Sequence, residues 1–270
     1  MTAAIVVRGA TKRFGAVLAL DSVDLEVGHG EVVAVLGDNG AGKSTLIKCI
    51  SGVHRLDAGM IELDGTPVNI TSPAVAQSHG IETVYQDLAL FDNLGPAANF
   101  FAGREHAGPA WLPRPLRVMR RGSMADATVD VLERLQVTLP DRTAAVGLMS
   151  GGQRQVIAVA RAAAFASKVV ILDEPTAALG LRESRRVLDL ILRLRAEGHA
   201  VIVISHAMDH VTEVADRAIV MRRGRVVGEE VPSPESQQRI VALIVGSVVE
   251  PADPATNSIT TETTSPRPPV

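Results

Sequence analysis

Short β-branched runs alternating with amphipathic helical stretches predict an α/β fold on a mainly parallel sheet. Three observations carry this reading. Residues 31–36, 168–173 and 199–205 form apolar runs of the kind buried on both faces of a parallel sheet. Between the last two, residues 182–197 place apolar side chains at 187, 188, 190, 191, 192 and 194, the period of a crossover helix. From about residue 88 to 166 the pattern changes to helices around a Pro/Arg-rich loop, which marks a helical insertion in the sheet.

Taken in order, residues 5–7 and 23–27 read as strands, and the buried run at 31–36 follows. A glycine-rich segment, 37–45, leads into a helix over 46–50 that stops at Gly52. Residues 60–63 and 67–70 form a hairpin turning at Asp64-Gly65. A strand over 81–85 leads into Gln86, and helices are expected over 125–135 and 153–166, flanking the loop at 109–121. After the two buried strands and their crossover helix comes a hairpin over 218–231, turning at Arg223-Gly224, and a last helix over 235–245. A domain is expected over 1–249. Residues 250–270, mostly Pro, Thr and Ser, have almost nothing to bury and are expected to be disordered.

Composition excludes several classes. With 270 residues, 46% apolar and 21% charged, the chain can bury a sizeable core. Its net charge of −3 gives no support for nucleic-acid binding. One cysteine, Cys49, excludes an intrachain disulfide and a Cys-cluster zinc site; it is expected to be a small buried hydrophobe. No apolar run approaches the roughly 18 residues of a membrane span, and the first residues lack the pattern of a signal peptide. A soluble intracellular protein is therefore expected.

The glycine-rich segment, Gly37-x4-Gly42-Lys43-Ser44, is a Walker A pattern placed between a buried strand and a helix. Its glycines let backbone amides turn toward a phosphate, and the helix N-terminus adds partial positive charge. Gly37, Asn39, Gly40, Gly42, Lys43, Ser44 and Thr45 are the expected nucleotide contacts, with Lys43 on the β- and γ-phosphates and the Ser44 hydroxyl on Mg²⁺. The run 169–174 ends in Asp173-Glu174, which the strand carries to the carboxyl edge of the sheet. There Asp173 can hold the Mg²⁺ shell and Glu174 can polarise an attacking water. His206 and His210 are four apart, a metal-pair spacing on a helix, but Ala207 stands where a zinc-protease glutamate would be.

Met149-Ser150-Gly151-Gly152-Gln153, before an Ala/Val-rich helix and 20 residues ahead of Asp173, closely resembles the signature of ABC-type ATPases. Alone it would pass for a helix cap; here it stands in the order phosphate loop, signature, acidic strand. Gln86 is similar to the family's Q-loop glutamine, His206 to its switch histidine, and Phe14 to its adenine-stacking aromatic. The resemblance covers about residues 3–247. It implies a P-loop NTPase (RecA-like) core with an N-terminal antiparallel β subdomain and an inserted α-helical signature subdomain. Ser150, Gly151, Gly152 and Gln153 would meet a γ-phosphate, Gln86 would join Ser44 and Asp173 around Mg²⁺, and Glu174, His206 and Gln86 would be catalytic. Two positions depart from the family: Met149 replaces a leucine, and Gly180 stands where most members carry an aspartate linking the two sites of a dimer.

In that family the phosphate loop and the signature that completes its site belong to different subunits, so the resemblance implies a homodimer with ATP and Mg²⁺ between the copies. Residues 80–90, 98–105 and 204–211 resemble the bacterial monosaccharide importers, in a single-domain form. This implies ATP-driven sugar import with separate permease subunits and an extracytoplasmic sugar-binding protein, and a place on the cytoplasmic face of the membrane. The alternatives are the ATPase of an exporter, or a soluble ABC ATPase acting on ribosomes or DNA. Only 130 residues separate Lys43 from Asp173, without sustained heptads, which argues against the coiled-coil DNA-repair type.

Overall fold

The fold is described from a computed structural model over residues 3–108, 111 and 118–247. The tail at 250–270 and most of the loop at 109–121 lie outside these residues. An antiparallel hairpin opens the chain, β1 (Ala3–Phe14) and β2 (Val17–Gly28), followed by β3 (Val32–Leu36) and α1 (Lys43–Ile50). Next come β4 (Ala58–Leu63), β5 (Thr66–Val68), α2 (Pro73–Ser78) and β6 (Ile81–Val84). Asp64 and Gly65 both take positive φ in the β4–β5 turn, as do Arg223 and Gly224 in the last hairpin. That is the two-residue geometry both dipeptides favour.

Between β6 and the next core strand lie α3 (Pro96–Phe100), a short ribbon of β7 (Ala107–Gly108) and β8 (Val118–Met119), α4 (Arg121–Arg134), a 3-10 turn (Val146–Leu148) and α5 (Gly151–Phe165). The chain then runs through β9 (Val169–Asp173), α6 (Leu181–Ala196), β10 (Ala200–Ile204), α7 (Met208–Val214), β11 (Arg217–Arg222), β12 (Arg225–Glu230) and α8 (Gln237–Val245).

The central sheet has the order β12-β11-β3-β10-β9-β6, parallel except for the β11–β12 hairpin. A second, antiparallel sheet has the order β2-β1-β4-β5. Strand alternation assigns the two faces of the central sheet. Val33, Val35, Val169, Ile171, Ile202 and Ile204 pack with α1 and the antiparallel sheet. Val32, Val170, Leu172, Val201 and Val203 pack with α5 and α6. β3 and β10 are buried at every position, each Val or Ile contributing about 1.5–3 kcal/mol, so a charge on either would break the core.

The structure lengthens two elements and adds several. β1 and β2 extend well past 5–7 and 23–27, because β1 beyond Gly9 is bulged and half-exposed and lacks the apolar signal. α2, α3, the β7–β8 ribbon and α7 are short segments without a full amphipathic period. α3 is held by buried Asn99, whose side chain accepts from the Phe91 N–H at 2.7 Å and donates to the Phe91 and Leu94 carbonyls at 3.1 Å each.

Candidate active site

The phosphate-loop segment needs glycine for steric reasons at two positions. Gly37 has φ +146°, and a Cβ there would lie 2.2 Å from the Met221 carbonyl oxygen. Gly42, at φ +107°, would place a Cβ 2.7 Å from the Ala19 carbonyl oxygen. Gly42 is also the N-cap of α1 and supplies no side-chain cap, so the helix start keeps its donors for another acceptor. Lys43 is buried, and its Nζ donates to the Gly37 and Asp38 carbonyls at 2.7 and 3.0 Å. Burial lowers its pKa, and the negative charges of Glu174, Asp38 and Asp173 oppose that shift. Asn39, Gly40 and Ser44 are exposed and Thr45 is half-buried. Phe14 ends β1 with 44% of its surface exposed and sets an edge against His54 at 5.1 Å. It pairs with Val17, two residues before Ala19, so the hairpin end sits beside the start of α1.

Strand register gathers the other groups. Ile204 pairs with Val35 on one side and Asp173 on the other, and Val84 pairs with Leu172. Four parallel neighbours therefore release Gly37, His206, Glu174 and Gln86 at nearly one level, the carboxyl edge where α/β sheets bind ligands. Asp173 ends β9, and its carboxyl is raised above its ordinary pKa by burial, against the pull of Lys43, Lys48 and His206. Glu174 takes φ +52°, a left-handed conformation uncommon for glutamate, and its N–H donates to the Ile204 carbonyl at 2.9 Å. Its carboxyl is also raised, by burial first and then by Asp173, while His206 and Lys43 act in the opposite sense. His206 Nε2 lies 3.0 Å from Glu174 Oε1, but off the hydrogen-bonding direction. Buried Oε1 is thus left without a donor among the described residues. Gln86 is exposed at the end of β6.

The signature residues lie elsewhere. Ser150 caps α5 in a reciprocal box: Oγ accepts from the Gln153 N–H at 3.3 Å, and Gln153 Oε1 accepts from the Ser150 N–H at 2.9 Å. The Ser150 hydroxyl proton remains available to an outside acceptor. Gly151 is exposed, whereas Gly152 is pressed under α6, where a Cβ would meet Glu183 Cγ at 2.2 Å. Helices α1 and α5 pack on opposite faces of the central sheet. The structure therefore gathers Lys43, Asp173, Glu174, His206 and Gln86 at one edge, whereas Ser150, Gly151, Gly152 and Gln153 open a helix packed on the face of the sheet opposite α1.

His206 precedes α7 and His210 lies within it, so the two do not share one helix face. No metal-type group of three or more His, Cys, Asp or Glu occurs among the described residues. His210 is half-buried, with Nδ1 3.0 Å from Thr176 Oγ1, a link across the segment after Glu174 that its sequence gave no sign of. His54 beside Phe14 was equally silent, since the contact joins elements far apart in the chain. Cys49 is buried, which pushes its thiol up to about 11.

A glycine-rich phosphate loop, a carboxylate pair at the carboxyl edge and a RecA-like parallel sheet define a P-loop NTPase. Residues 20–177 match the ABC transporter family. The fructose import ATP-binding protein FrcA of Rhizobium meliloti is 48% identical over 91% of this chain and 95% of its own length. The xylose/arabinose import ATP-binding protein XylG of Sulfolobus acidocaldarius is 46% identical over 82% and 85%. A nucleotide-free ATP-binding cassette from an ABC transporter superposes with a TM-score of 0.77 at 25% identity, covering 89% of this chain and 98% of that one. The chain belongs to the ABC transporter family, as its ATP-binding, ATP-hydrolysing cassette. No helix among the described residues is long and apolar enough to cross a membrane.

Proposed function

We propose that this chain hydrolyses ATP to drive import of a monosaccharide, working as a homodimer beneath separate permease subunits that an extracytoplasmic sugar-binding protein supplies. The observation that carries the ATPase chemistry is the release of the phosphate loop, Asp173-Glu174, His206 and Gln86 from four neighbouring strands at one edge. Import and sugar rest on the likeness to the fructose and xylose/arabinose import proteins over most of both chains. That likeness also supports the peripheral position on the cytoplasmic face of the membrane.

The adenine stacks on exposed Phe14, and the phosphates settle on the amides of Gly37, Asn39, Gly40, Gly42, Lys43, Ser44 and Thr45. Lys43 exchanges its two carbonyl partners for β- and γ-phosphate oxygens, replacing charge-assisted hydrogen bonds worth about 1.5–3 kcal/mol each. The donorless Oε1 of Glu174 receives a hydrogen bond from the attacking water, and its raised pKa suits it to take up the proton as the water oxygen bonds to Pγ and ADP leaves. His206, beside Glu174, donates to the γ-phosphate. Ser150, Gly151, Gly152 and Gln153, at the start of a helix packed on the face opposite α1, complete the site of a second copy rather than their own, as the resemblance to the family signature implies. Ser44, Gln86 and Asp173 offer hydroxyl, amide and carboxylate oxygens, the hard donors Mg²⁺ takes, and these residues would hold it. Bound there, the ion would neutralise charge on the β- and γ-phosphates.

The test is co-purification of the tagged chain from gently solubilised native membranes. A polytopic permease together with a sugar-binding protein is expected. A permease without a binding protein would shift the reading to export, and ribosomal or DNA-repair proteins would replace the transport reading while leaving the ATP chemistry intact.

A further inference from the structure

The segment that follows Gln86 is bound to the signature helix at two places. Arg161 of α5 directs a fork at consecutive carbonyls: Nη1 donates to the Ala89 oxygen and Nη2 to the Leu88 oxygen, both at 3.0 Å. Arg154, two helical turns earlier on the same face of α5, pairs with Asp92 at 2.8 Å. Ala89 is held at φ +48°, a conformation alanine rarely adopts, so something must fix the loop there. The guanidinium of Arg161 is half-buried, and its charge is supported by buried Glu82 on β6, which Arg104 also engages. Arg104 in turn lies over the Phe165 ring at 4.4 Å, at the far end of α5. One rigid helix thus carries the signature residues at its start and grips the Gln86 segment near its end, roughly 16 Å away at 1.5 Å rise per residue.

We infer that Arg161 is a positioning residue that makes the segment after Gln86 and the signature helix move as one body. When Gln86 engages the bound nucleotide, the pull reaches Ser150, Gly151, Gly152 and Gln153 through the fork, and the signature is presented to the second copy. This rests on the proposed roles of Gln86 and of the signature residues, and it adds a residue that touches neither nucleotide nor water. A lysine at 161 would keep the charge facing Glu82 but would replace the planar two-nitrogen fork, which fixes both carbonyls in one geometry, with a single rotatable point donor.

The experiment is a double-mutant cycle on the full chain, pairing Arg161→Lys with Gln86→Ala and measuring steady-state ATP hydrolysis and ATP affinity. Arg161→Lys is expected to lower kcat about tenfold or more while ATP affinity stays within about twofold, and the double variant should be no slower than Gln86→Ala alone. An unchanged kcat for Arg161→Lys, a parallel loss of ATP affinity, or losses that multiply in the double variant would each overturn the inference. Should Arg161→Lys fail to fold, Asp92→Ala removes the acceptor of the neighbouring Arg154 clamp, and the same non-additivity with Gln86→Ala is required of it. Failure of the underlying reading has a separate signature, a Gln86→Ala variant that turns over like the wild type.

Discussion

Replacing Glu174 with glutamine tests the site where its electrostatics are most specific. The substitution keeps volume and shape and removes the carboxylate whose buried oxygen lacks a donor among the described residues. General-base assistance is worth about 10²–10⁴ in rate, so the variant should lose roughly 3–5 kcal/mol of transition-state stabilisation. The structure also predicts what should not change. Burial raises the Glu174 pKa, so the folded protein binds that proton more tightly than the unfolded chain. Its contribution to stability is then full below the unfolded pKa and is lost as pH rises through the folded one. At pH 8 the ionised carboxylate is a net cost, and Glu174→Gln should unfold no lower than the wild type. The wild-type rate should fall on acidification through a limb above the ordinary glutamate range of about 4.3; Asp173, also raised by burial, titrates in the same direction, so the variant's residual rate should keep a shallower limb. Phosphate release at saturating ATP across a pH series measures both. Turnover at the wild-type rate, or an unaltered acid limb, would remove Glu174 as the base.

Three further predictions follow from the same geometry. Lys43→Ala removes the ammonium that spans the phosphate loop and should weaken ATP binding by about 10- to 150-fold, measured by calorimetry; unchanged affinity would mean that the loop is not the phosphate site. Gly37→Ala forces a Cβ against the Met221 carbonyl at positive φ and should cost roughly 2–6 kcal/mol in urea unfolding, combining backbone strain and overpacking; a wild-type midpoint would contradict the steric reading. Truncation after Val249 should leave ATPase activity intact, because the last buried apolar side chain of the described core is Ile240; a large loss would show that the tail has a part in the site.

Much of the fold was legible because buried parallel strands announce themselves. β3 and β10 are pure apolar runs and β9 is apolar up to Asp173, and each leads into the residues that reach the site edge. The Asp64-Gly65 and Arg223-Gly224 turns were equally readable, since positive φ at two successive positions restricts composition. The first hairpin was only half visible: on β1 beyond Gly9 only Ala10 is buried, and the rest is held by cross-strand pairing and by the Asp57 carboxylate on Lys12 and the Arg13 N–H. Within the site, the phosphate loop and Asp173-Glu174 were marked by spacing, and Ser150 to Gln153, outside it, by their resemblance to the family signature. The left-handed backbone at Glu174, the Thr176–His210 link and the Arg161 fork depend on tertiary contacts between distant segments, and no local pattern encodes them. An arginine within the otherwise Ala/Val-rich stretch of α5 was the one available hint of that fork.

The most direct test of the central claim, that each chain holds two half-sites and hydrolyses ATP only across a pair, is the mass of Glu174→Gln in solution by light scattering, with and without ATP. A monomer that doubles in mass on ATP and returns to monomer when Ser150 is also replaced by a bulky residue is the predicted result. A species that stays monomeric at saturating ATP would contradict the account, as would a dimer indifferent to both nucleotide and Ser150.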